Sequence, residues 1–60
     1  MKIKYIHFSE PNKEKIYDTE VALRKNPFYR MTQEKFDELE LKHMEEGKEK
    51  GHILSYEIVQ

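Results

Sequence analysis

Three histidines, twelve acidic residues and no cysteine are the side chains of this 60-residue chain with the chemistry to bind a metal or move a proton. His7, His43 and His52 fall in three separate segments, with no short-spaced pair such as H-x-x-x-H, so a metal site would need a convergence that the spacing does not announce. The missing cysteine removes thiolate ligands, disulfides and a thiol nucleophile together. Ser9 and Ser55 are the two serines, and neither sits in a readable Ser, His and Asp arrangement. Gly47 and Gly51 enclose Lys-Glu-Lys, which is no phosphate-cradling loop. Carboxylates are plentiful, but general acid–base work needs one desolvated in a cleft. Asp37, Glu38, Glu40, Glu45 and Glu46 lie instead in a stretch patterned as an amphipathic helix with water on one side. The expectation is a non-enzyme with no cofactor and no metal.

Two constellations point to binding. The run Arg24-Lys25-Asn26-Pro27-Phe28-Tyr29-Arg30 mixes three cations with two aromatics around a fixed bend. Cations for phosphates and rings for bases are the equipment of single-stranded nucleic-acid binders, with Arg24, Lys25, Phe28, Tyr29 and Arg30 as the candidates. The structural counter-reading makes Phe28 and Tyr29 core between two helices and the cations ordinary surface. The second constellation is acidic. Glu34, Asp37, Glu38, Glu40, Glu45 and Glu46 stand against Lys35 and Lys42 over residues 33–46. Such a helix can face a basic protein partner, with Glu34, Asp37, Glu38 and Glu45 as candidate contacts; its counter-reading is a solvated face relieved by Glu38 and Lys42 at i,i+4. Residues 1–30 carry seven cations against four anions and residues 31–60 four against eight, so the chain has two charged poles. A net charge of −1 disfavours sequence-independent phosphate binding, so a protein partner ranks ahead of nucleic acid.

The elements that must carry these residues are readable from turns and caps. Residues 2–8 are rich in β-branched and aromatic types and form a strand, with Ile3 and Tyr5 on one face and Ile6 and Phe8 on the other. Apolar groups on both sides suit a strand that is central or covered on its second face. Ser9 to Lys13 is turn chemistry. Lys15-Ile16-Tyr17 then completes a hairpin, and Asp18 or Thr19 caps a short helix from Glu20 to Lys25; the alternative is one helix over 11–25 opened by Pro11. Asn26-Pro27 ends that segment, and Phe28, Tyr29 and Met31 form an apolar linker that plugs the core. Thr32 caps a helix over Gln33–Glu46, with Phe36, Leu39 and His43 on the inward face, His43 as a boundary residue with its polar edge out, Met44 flanking and Leu41 off the stripe. Gly47 or Gly51 stops it. In the last strand, Ile53–Val59, Leu54, Tyr56 and Ile58 point to the core and Ser55 and Glu57 away.

The result is a single α+β domain over residues 1–60: a small antiparallel sheet of two or three strands with two helices packed on one face, in the order β-β-α-α-β, with β-α-α-β as the fallback. Twenty-two apolar residues give a thin core with little room for a deep pocket. Open sheet edges and marginal size favour self-association as a homodimer. The N-terminus has no leader-like apolar stretch and no apolar run is long enough for a membrane span, so a cytoplasmic, membrane-free location is expected.

In overall style the chain resembles the short, Lys/Glu/Ile/Tyr-rich proteins of phages and prophages of low-GC Gram-positive bacteria. The likeness is carried by residues 25–39, Lys-Asn-Pro-Phe-Tyr-Arg-Met-Thr-Gln-Glu-Lys-Phe-Asp-Glu-Leu, and by Ile53-Leu54-Ser55-Tyr56-Glu57. It implies an accessory protein that acts by binding, and it carries over no functional residue.

Overall fold

The computed structural model describes residues 1–26 and 28–59. Strands β1 (Lys2–His7) and β2 (Glu14–Asp18), helices α1 (Thr19–Arg24) and α2 (Gln33–Glu49) and strand β3 (Ile53–Ile58) follow in the order β-β-α-α-β. The sheet is antiparallel with spatial order β2-β1-β3, so the first strand is central. Ile3 pairs with Tyr17 and Ile58, and Tyr5 with Lys15 and Tyr56, on the face beneath the helices. Lys4 pairs with Ile16 and Glu57, and Ile6 with Glu14 and Ser55, on the open face.

Local chemistry explains each boundary. Asp18 caps α1, its Oδ1 accepting from the N–H groups of Glu20 at 3.0 Å and Val21 at 3.4 Å. Thr32 Oγ1 caps α2 by accepting from Lys35 N–H at 3.2 Å. The bend expected at Pro27 lies outside the described residues.

α2 runs three residues past the expected end because Gly47 is not its stop. A Cβ on Gly47 would lie 2.9 Å from Ile53 Cγ1, so the missing side chain is what lets β3 approach the helix. Gly51, at φ 81°, is the stop. Gly51 N–H donates to Lys48 O at 3.1 Å and His52 N–H to Gly47 O at 2.8 Å, the paired bonds of a Schellman ending.

The core is smaller than the apolar pattern promised. Ile3 and Phe36 are the buried apolar side chains among the described residues, and Thr19 is the buried polar one. Leu39 and Tyr56 are half-buried, and Ile58 is exposed rather than in the core, because it ends an edge strand whose outer side has no neighbour. The inward face of α2 is also rotated from expectation. His43 points out while Glu40 is only 17% exposed and Gly47 abuts Ile53. In β3 a register shift opposite Ile6 and His7 leaves Leu54 unpaired and half exposed, so Ile53 takes the place beneath the helix that alternation gave to Leu54.

Candidate functional site

The acidic candidates are not brought together as one set. Glu34, Glu38 and Glu45 are exposed on the outer side of α2, and at about 100° per residue they fall with Glu49 inside an arc of roughly 60°. Asp37 leaves that stripe. Its Oδ1 accepts from Thr19 Oγ1 at 2.5 Å and from Gln33 Nε2 at 2.9 Å, and its Oδ2 lies 3.9 Å from the Met1 ammonium. Burial alone would raise this carboxyl; the two hydrogen bonds and the ammonium outweigh it and hold Asp37 below its ordinary value. Asp37 is thus a structural pin between α1, α2 and β1, and is withdrawn as a partner contact. Glu45 accepts from Tyr56 Oη at 2.6 Å, which keeps that phenol protonated to higher pH than usual.

Beside the acidic stripe a groove of about 330 Å³ opens to solvent, lined by Met31, Lys35, Glu38, Leu39 and Lys42. Its floor is Met31 and Leu39, both half-buried, and its rim is charged. Neither residue was read from sequence as anything but core. The signal available there was that Lys35, Glu38 and Lys42 surround Leu39 at helical spacing, which places Leu39 on the outer side.

The basic and aromatic candidates are all on the surface. Arg24, Lys25, Phe28, Tyr29 and Arg30 are exposed, and Phe28 is 91% exposed. Phe28 therefore plugs nothing, contrary to expectation. Tyr29, 48% exposed, keeps one ring contact, 5.6 Å from Phe36.

Among the described residues no three His, Asp or Glu side chains converge as a metal centre requires, and no buried side-chain polar atom lacks a partner. His7 Nδ1 is 2.8 Å from Ser9 Oγ in an exposed turn, and His43 Nδ1 is 3.7 Å from Glu40 Oε1. The phenol of Tyr17 is pushed up to about 12, first by burial and then by the Glu40 carboxylate beside it, which makes it a weaker acid than a free phenol. On the open sheet face Lys4 bridges Glu57 at 2.8 Å and Glu14 at 3.9 Å, a solvated network across three strands. Among the described residues no helix is long and apolar enough to cross a membrane. No family model matches the chain, and no curated protein or solved structure resembles it significantly.

Proposed function

We propose that this chain is a non-catalytic protein-binding module that presents the outer side of α2 to a partner bearing an apolar anchor and basic residues. One observation carries the reading: the Met31–Leu39 groove, whose rim is Lys35, Glu38 and Lys42, lies beside the outward carboxylate stripe of Glu34, Glu38 and Glu45, so an apolar anchor and the basic residues next to it would be met by neighbouring surfaces. A small apolar depression with a charged rim is the usual layout of a protein contact site. It suits one inserted side chain better than a free small molecule, because it is shallow and open.

The test is capture on the immobilised protein from a lysate of the source cells, followed by binding measurements on the purified partner. The charge reversals Glu38→Lys and Glu45→Lys should slow association more than they speed dissociation, because exposed charges act mainly through steering. Leu39→Ser should raise the dissociation rate. A partner indifferent to ionic strength and to all three substitutions contradicts the proposal. A second reading, single-stranded nucleic-acid binding, is favoured by the 91% exposure of Phe28 among exposed cations. It forecasts an oligonucleotide affinity that falls steeply with salt and is weakened for every sequence by Arg24→Ala with Arg30→Ala.

A further inference from the structure

We propose that β3 pairs edge to edge with β3 of a second copy, forming a two-fold dimer with one continuous six-stranded sheet. This goes beyond the α2 reading and uses a different surface. The ladder inside the chain fixes which backbone groups are left over. Val59 N–H donates to Lys2 O at 2.9 Å, so Lys2 and Val59 form a hydrogen-bonded pair. Such pairs alternate along an antiparallel ladder, so Lys4 with Glu57 and Ile6 with Ser55 are the next two. The N–H and C=O groups of Tyr56 and Ile58 therefore point away from β1, into the open. On the other edge, Thr19 N–H donates to Met1 O at 2.9 Å, and the same alternation turns Glu14, Ile16 and Asp18 outward from β2.

The two edges are defended differently. β2 is five residues long and carries Glu14, Lys15 and Asp18, with Lys15 bridged to Glu10 at 2.6 Å. Charge of that density discourages strand addition. β3 carries Glu57 as its single charge, and Ile58 and Val59 beside it are 54% and 44% exposed.

The spare groups of β3 are complementary to themselves. With outward groups at Tyr56 and Ile58, an antiparallel two-fold through Glu57 sets each Tyr56 opposite the other copy's Ile58. Four N–H to C=O bonds then close reciprocally, and two aromatic to β-branched side-chain pairs cover Ile58. The two Glu57 side chains meet at the axis, but each already has the Lys4 ammonium of its own copy at 2.8 Å, so their repulsion is compensated. Centring the axis on Tyr56 would put Ile58 against the bulged Leu54, where the ladder is irregular.

Two short strands bury less than a standard interface, so the dimer is expected to be weak, with a dissociation constant roughly in the micromolar to millimolar range. Sedimentation equilibrium over a wide concentration range reads it directly. Ile58→Pro removes an outward N–H and no bond to β1, and proline is tolerated at such edge positions. It should be monomeric throughout while keeping its thermal melt, whereas Ile16→Pro on the opposite edge should still dimerise. Should Ile58→Pro lose its cooperative melt, Ile58→Lys keeps the N–H and should also be monomeric. Hydrogen exchange gives a second readout on the unaltered chain: the amides of Tyr56 and Ile58 should slow as concentration rises. A wild-type monomer throughout, a dimer that survives in folded Ile58→Pro, or exchange at Tyr56 and Ile58 independent of concentration overturns the proposal. Protection of those two amides only when the α2 partner is added also overturns it, since the edge then belongs to a foreign strand. None of these outcomes bears on Glu38→Lys, which reports on α2 alone; Glu45→Lys also breaks the Tyr56 hydrogen bond to β3 and is read only beside it.

Discussion

Replacing Gly47 by alanine sets two effects of known sign against each other. Alanine in a helix interior is favoured over glycine by about 1 kcal/mol. An added Cβ would sit 2.9 Å from Ile53 Cγ1, closer than such carbons pack, and that atom is near the root of the side chain rather than at a flexible end. Overpacking of this kind costs about 1–3 kcal/mol, so the clash wins and Gly47→Ala is destabilised by about 1 kcal/mol net. For a domain of this size that lowers the melting temperature by roughly 4–8 °C. The assay is a double-mutant cycle with Ile53→Ala, by thermal and urea unfolding in sulfate buffer so that every member stays folded. Once Cγ1 is gone the clash is gone, and Gly47→Ala should become stabilising by up to about 1 kcal/mol. A rise in melting temperature in the wild-type background, or a coupling energy below about 0.3 kcal/mol, refutes the close approach of α2 and β3.

Three further outcomes are expected. Phe36→Ala removes one of the two buried apolar side chains among the described residues, and at about 3–5 kcal/mol it should consume most of the stability of a 60-residue domain, leaving no cooperative melt. Thr19→Val leaves Asp37, Gln33 and the Met1 ammonium without their shared hydroxyl and should cost about 1–3 kcal/mol. Because the Asp37 carboxyl is held below its ordinary value of 3.8, its contribution is present above that pH and lost as pH falls through the depressed value; that acid arm should shrink in Thr19→Val. Tyr17 is shifted the other way, so its contribution is complete below pH 10 and lost as pH rises toward about 12; phenolate absorbance should show it ionising together with alkaline unfolding, and its ionisation in a fully folded chain near pH 10 would contradict its burial.

The order of elements was legible because its punctuation is local. Asp18 before a helical run, Thr32 before another, and Gly51 after it are residues whose side chains or backbone freedom act within a turn. What was not legible depends on contacts distant in sequence. Gly47 reads as a stop until Ile53 is found against it. The inward side of α2 was misread because Glu40 faces in beside Tyr17, a residue from another element, while His43 faces out. Alternation in β3 failed at Leu54 because a bulge depends on the partner strand's register. The candidate site divided in the same way. Exposure of Glu34, Glu38 and Glu45 follows from helical periodicity, whereas withdrawal of Asp37 needed the buried Thr19 hydroxyl.

The central claim, a protein partner on the outer side of α2, is tested most directly by photo-crosslinking in the source cells. A photoreactive residue is placed at position 38 in one variant and at position 28 in another, and adducts are digested separately with nuclease and with protease. The expected result is a discrete adduct from position 38 that survives nuclease and is destroyed by protease. A nuclease-sensitive adduct from position 28, with none from position 38, would contradict the claim and hand the function to the Arg24–Arg30 segment.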